Sequence, residues 1–91
     1  MDKDHKIAEI NKVLSVNTRV KIIRLLSEKA FCVGALSARL GITPGAVSQH
    51  MRILKSAGLV VPEKKGYYVH YRLEKQALRN WAQEINELSK I

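Results

Sequence analysis

The segment GITPGAVSQHMRILKSAG, residues 41–58, holds a helix start and a helix stop within one short span. Thr43 is a good N-cap, because its hydroxyl can accept a hydrogen bond from a free N–H of the first turn. Pro44 stands at the first helical position, where its missing N–H costs nothing. Ile42 and Val47 occupy the two positions of a hydrophobic staple, which fixes the angle at which the chain enters the helix. The helix is expected to run to about Ala57, with Gly58 ending it. At 100° per residue, Val47, Met51, Leu54 and Gly58 fall close to one line, with His50 and Ala57 at the edge. The opposite side carries Gly45, Gln49, Arg52 and Ser56, flanked by Ala46 and Ser48.

Upstream, Val33, Leu36 and Leu40 mark a short inward-facing helix over about 33–40, stopped by Gly41. Before it, Val20, Ile23 and Leu26 predict a helix over about 18–29, capped by Asn17 or Thr18, with Arg19, Lys21 and Arg24 outside. Ile7, Ile10 and Leu14 form one stripe on a first helix of about 5–15. Downstream, Leu59–Pro62 reads as a strand, 63–66 as a turn and Tyr67–Leu73 as a second strand. Pro62 cannot donate to a ladder and suits an outer strand. In that second strand Tyr67, Val69, Tyr71 and Leu73 share one face, and the three tyrosines are expected mostly to pack. Leu78, Trp81, Ile85 and Leu88 are spaced 3, 4, 3, a heptad-like seam on a last helix with no strong N-cap. The expected fold is mainly α with a two-stranded β-wing. It is a winged helix-turn-helix of about five helices in one domain, 1–91.

The chain's 91 residues suffice for one small core, with little room for a deep pocket besides. Its 16 Lys+Arg against 8 Asp+Glu leave a net charge of +8, and all of it lies in the middle. Residues 1–16 and 74–91 each sum to zero, whereas 17–73 hold ten basic residues against Glu28 and Glu63. A solvated surface would by default mix signs throughout. The middle therefore reads as a surface for a polyanion. A hydrophobic content of 46% excludes a disordered basic tail. The single cysteine excludes a disulfide framework within the chain and fits a cytoplasmic location. No apolar run approaches a membrane span, and the polar, acidic N-terminus does not read as a signal peptide.

A helix that enters a major groove needs a slim, acid-free outer face, and residues 43–56 supply one. Small Gly45, Ala46 and Ser48 let the backbone approach, and the first-turn N–H groups can meet a phosphate. Gln49 can read adenine with two hydrogen bonds, and Arg52 can read guanine or hold phosphate. The bland reading is a solvated polar helix face. Thr43, Gly45, Ala46, Ser48, Gln49, Arg52 and Ser56 are the candidate duplex-binding residues of the helix. Lys64 and Lys65 are those of the hairpin, a wing able to lie along phosphates or reach into a minor groove. Lysines on an exposed strand also discourage edge-to-edge aggregation.

From Leu14 to Leu73 the sequence resembles the ArsR/SmtB class of bacterial and archaeal winged-helix repressors. The resemblance rests on Thr18-Arg19 leading into Ile22-Ile23-Arg24-Leu25-Leu26, on Val47-Ser48-Gln49-His50-Met51 with Leu54, on Ala57-Gly58-Leu59-Val60, and on the hairpin 66–73. It implies a homodimer that binds operator DNA, represses transcription and releases DNA when an inducer, often a metal ion, binds. It also implies dimerisation through the first and last helices. The apolar stripes of the neutral ends point the same way, with Ile7, Ile10, Leu14, Leu78, Trp81, Ile85 and Leu88 as candidate dimer-interface residues. The alternative is that these stripes only close the protomer's own core.

The family's metal sites do not carry over. Where the family has a Cys-x-Cys pair, this chain reads Cys32-Val33-Gly34, and residues 74–91 contain neither His nor Asp. One thiolate fills neither a tetrahedral zinc site nor a three-coordinate arsenic site. Asp2, Asp4, His5 and Glu9 read as a solvated polar terminus. His50 reads as a hydrogen-bonded histidine at the core's edge, His70 as a ribbon surface residue and Cys32 as a small buried apolar one. No metal and no cofactor is expected, and the inducer is unknown. Two other functions fit the residues less well. A winged-helix module for protein or RNA would have no need to concentrate its charge on the helix-turn-helix and wing. An enzyme is not expected, because no phosphate loop, nucleophile motif or catalytic cluster is present.

Overall fold

The computed structural model describes residues 2–91, which form five helices and a three-stranded sheet. The order is α1 (Lys3–Leu14), α2 (Asn17–Leu26), β1 (Phe31–Cys32), α3 (Val33–Leu40), α4 (Pro44–Ser56), β2 (Val60–Lys65), β3 (Tyr68–Leu73) and α5 (Lys75–Leu88). Buried Ile22, Leu26, Phe31, Leu36, Val47, Met51, Leu54, Leu59, Val60 and Leu73 make one core. It joins α2, α3, α4 and the inner ends of β2 and β3. Helix α3 ends where Gly41 turns left-handed at φ 67°, a conformation that any side chain would strain. The Gly41 N–H bonds back to the Ser37 carbonyl at 2.9 Å, and the Ser37 hydroxyl donates to the Ile42 carbonyl. That short turn fixes the approach of α4 to α3.

The sheet has three strands rather than the expected two. Phe31 and Cys32 pair antiparallel with Tyr71 and His70, giving the order β1-β3-β2. A two-residue strand is too short to show alternation in sequence. The hairpin turn also lies further along than the expected 63–66. Glu63, Lys64 and Lys65 continue β2, and Lys65 pairs with Tyr68, leaving Gly66-Tyr67 as a two-residue loop. Only Gly66 has positive φ (63°), the arrangement of a type II′ turn, whose twist suits the flanking strands. Tyr67 therefore belongs to no sheet face. It is fully exposed and Tyr68 largely so, while Tyr71 alone of the three tyrosines packs on the core.

Four smaller expectations change as well. Helix α2 starts at Asn17 behind Val16, whose side chain makes no cap, so neither Asn17 nor Thr18 serves as one. Its fully buried positions are Ile22 and Leu26, with Val20 and Ile23 only half-buried. Arg19 turns inward instead of outward. His70 is half-buried, with its Nδ1 enclosed and unpartnered, rather than a surface residue. At the N-terminus Asp2 caps α1, its carboxylate accepting from the His5 N–H at 2.7 Å. Among the described residues no three His, Cys, Asp or Glu side chains converge as a metal site, and no helix is long and apolar enough to cross a membrane.

Candidate nucleic-acid interface

Helix α4 is built as its local sequence dictates. The Thr43 hydroxyl accepts from the Ala46 N–H at 3.1 Å, and Pro44 opens the first turn. Val47, Met51 and Leu54 are buried against the core, which anchors one face. The other face looks outward, with Thr43, Gly45, Ser48, Gln49, Arg52 and Ser56 exposed and Ala46 half-buried. No acidic residue lies on the helix. Of its first-turn residues, Gly45 and Ala46 carry N–H groups without an intrahelical partner by construction. One is capped by Thr43, and Pro44 has none to offer.

The outer residues of α4 divide into two groups. Gly45, Ala46 and Gln49, with His50, line an open depression at the N-terminal half. Arg52 and Ser56 instead line a larger, mostly apolar recess. The same recess is lined by Ile10 and Val13 of α1, Ile53 and Ala57 at the end of α4, and Trp81 of α5. Thus α4 offers its first two turns to the solvent side and its last turns to the junction with α1 and α5. Ile53, an exposed apolar residue on that junction, was absent from the sequence reading. Its signal was its position, a large apolar side chain set off the Val47-Met51-Leu54 stripe.

His50 is held from behind. Arg19 of α2 donates from Nε to His50 Nδ1 at 3.4 Å, and its Nη1 donates to the Val13 carbonyl at the end of α1 at 3.1 Å. One guanidinium thus ties α1, α2 and α4 together. This agrees with the hydrogen-bonded core-edge histidine expected at position 50, although the partner could not be named from sequence.

The hairpin places its cations at its outer end. Lys64 and Lys65 are exposed and carry no ion pair among the described residues. Arg72 is spent locally. Glu74 accepts from its Nη1 at 2.7 Å and Glu63 accepts from its Nε. The hydrogen bond it donates to Glu74, then that to Glu63, holds the guanidinium above its ordinary pKa. Glu63 is the only carboxylate within β2 and β3, so its pairing leaves the tip purely cationic.

The neutral ends pack on each other. Lys3 pairs with Glu87 at 3.4 Å and Lys6 with Glu84 at 3.7 Å, both between α1 and α5. Exposed pairs of this kind stabilise by about 0–1 kcal/mol at most. The candidate interface stripe is split by this packing. Ile10 is buried within the protomer, Leu14, Leu78 and Trp81 pack partly on the core, and Ile7 is half-buried. Ile85 and Leu88 stay 37% and 46% exposed.

A sequence model of the ArsR family of bacterial regulatory proteins matches residues 17–61, which span α2 through the start of β2. The chain is 36% identical over 78 residues to the arsenical resistance operon repressor of Escherichia coli, covering 85% of this chain but 66% of that protein. It is 33% identical over 89 residues to an uncharacterized HTH-type transcriptional regulator of Methanocaldococcus jannaschii, covering 97% of this chain and all of that one. Among solved structures, the homodimeric winged helix-turn-helix DNA-binding domain of a possible ArsR-family regulator from Mycobacterium bovis superposes with a TM-score of 0.76. That alignment has 25% identity and covers 94% of this chain and 80% of that one.

Proposed function

The chain belongs to the ArsR family of bacterial regulatory proteins, and from that premise we propose that it is a homodimeric transcriptional repressor of inverted-repeat duplex DNA. The N-terminal half of α4 is the part that enters the major groove, with Gln49 reading a base and Gly45, Ala46 and Ser48 allowing close approach. Lys64 and Lys65 hold phosphate from the wing. Residues 1–91 act as one DNA-binding domain in the cytoplasm, by binding and without catalysis. The observation that carries this reading is the coincidence of an outward, acid-free α4 face with a middle segment that holds the whole +8 net charge. A monomer would leave Ile85 and Leu88 in water. Pairing α1 and α5 about a two-fold axis covers them and sets two α4 helices toward successive major grooves, about 34–36 Å apart.

Arg52 and Ser56 take the second role in this scheme. In this scheme Arg52, which lines one recess with Ile10 and Trp81, holds phosphate at the edge of the groove, next to the dimer helices. Regulation runs without the family's usual metal sites. Cys32 is the sole cysteine, and stoichiometric zinc, cadmium or arsenite is expected to leave DNA bound.

Binding to random-sequence duplex DNA at two salt concentrations tests the reading. Affinity should fall steeply with salt, by about 0.9 in log–log slope for each phosphate neutralised. An absence of binding at low salt would exclude it.

A further inference from the structure

We propose that Tyr67 is a minor-groove contact that the wing inserts between two phosphate strands, reading base pairs that flank the site of α4. The inference deepens the duplex-DNA function proposed above and rests on it.

Tyr67 has no part in the fold. It is fully exposed, belongs to no sheet face and occupies the second central position of the hairpin loop, where the backbone asks for no aromatic ring. An isolated exposed side chain would mean little. The surroundings give this one its meaning. Position 67 lies at the extreme end of a ribbon whose base is buried at Val60 and Leu73. Five residues of strand separate base from tip, about 17 Å at about 3.4 Å per residue. The ring is thus carried well clear of the core.

The two free cations flank it on opposite sides. Lys65 pairs with Tyr68 and Lys64 with Val69, and neighbouring residues of a strand face opposite ways. One ammonium therefore lies on each face of the ribbon, with the ring at its end. A minor groove offers the complement: a slot about 6 Å wide between two anionic walls, with base edges at its floor. A flat protein surface or a single phosphate strand would be met by lysines on one face only. Glu63, the hairpin's one carboxylate, is drawn back toward the base by Arg72. Tyrosine also suits the slot chemically, since its ring packs on sugars while its hydroxyl can donate to A N3 or T O2 and accept from the G N2 amino group.

The test uses the full chain and a duplex selected by the wild-type protein from a random library. Tyr67→Ala should weaken binding about tenfold, the size of about 1.4 kcal/mol, while leaving the salt slope unchanged because no charge is removed. Lys64→Ala with Lys65→Ala should lower that slope. Inosine in place of guanine at flanking pairs deletes the minor-groove amino group and leaves the major groove intact. That swap should alter wild-type affinity and have no effect on Tyr67→Ala. Tyr67→Phe should lose the response to inosine but only part of the affinity. Wild-type affinity in Tyr67→Ala would overturn the proposal, as would a wild type indifferent to the swap or a swap effect that persists in Tyr67→Ala. A wild type that selects no duplex at low salt would instead remove the DNA-binding function itself, and this contact with it.

Discussion

Helices α4 and α5 are of nearly equal length and both amphipathic, yet they use their faces in opposite ways. In α4, Val47, Met51 and Leu54 are spent inside the protomer, and the face left over is polar apart from Ile53. In α5 no residue is fully buried, and its apolar seam ends in Ile85 and Leu88, still open to water. A helix anchored by its apolar side presents a rigid polar surface, as a groove reader must. A helix with apolar surface to spare needs another apolar surface, and in the proposed dimer a second copy would supply one without bringing the basic middles together. Under the function proposed above, the difference between these two helices would set the DNA side of the molecule apart from the dimer side.

The contrast can be broken most sharply through burial. Leu54→Ala removes a fully buried side chain and should cost about 2–5 kcal/mol in denaturant unfolding. Leu88→Ala should cost the isolated protomer no more than roughly 0.5 kcal/mol, because the residue is already half in water. Equal losses would show that α5 is a core helix and not a docking face.

Next in size is the dimer. Ile85→Glu should turn a sedimenting dimer into a folded monomer at micromolar concentration and abolish tight binding to an inverted repeat. A folded monomer that still held the repeat tightly would refute the two-fold arrangement. Trp81→Glu should also lose the dimer, but with a fall in melting temperature, since Trp81 packs partly on the protomer's core.

Gln49→Ala tests the polar face alone. Discrimination between duplex sequences should drop by about 1–3 kcal/mol, with stability changed by no more than roughly 0.5 kcal/mol. Arg52→Ala should weaken binding more evenly across sequences, in keeping with its place beside the α1–α5 junction. A large drop in melting temperature for Gln49→Ala would mean that the helix faces are assigned wrongly. The smallest effect is expected at the cap. Thr43→Ala should lower stability by about 1 kcal/mol through loss of the bond to the Ala46 N–H, read from thermal unfolding.

Most of the helix-turn-helix could be read from local chemistry. Thr43, Pro44, Gly41 and Gly58 act within one turn of themselves, so their roles do not depend on distant residues. The 3.6-residue period did the same for the buried face of α4. Local chemistry is silent where pairing at long range decides. Strand β1 exists because Phe31 and Cys32 meet β3 some forty positions later, and nothing in two residues announces it. The wing turn moved because register set Lys65 against Tyr68, which a cluster of turn-forming residues at 63–66 could not reveal. Arg19 looked like a surface cation because its acceptors, His50 and the Val13 carbonyl, come from α4 and α1.

The sequence by itself determined that this chain is a small basic helix-turn-helix protein with a hairpin wing, that its charge lies in the middle, and that its ends are apolar and neutral. Those properties follow from composition, period and caps, each of which acts over a few residues. Only the tertiary structure decided how the apolar stripes are shared between the protomer's own core and open surface, and which outer residues of α4 stand at its free end and which beside α1 and α5. It also decided that Gly66 and a fully exposed Tyr67 close the wing, just beyond Lys64 and Lys65. Each of these depends on which segments cover one another, and burial is a property of the packed chain and not of any one stretch of it.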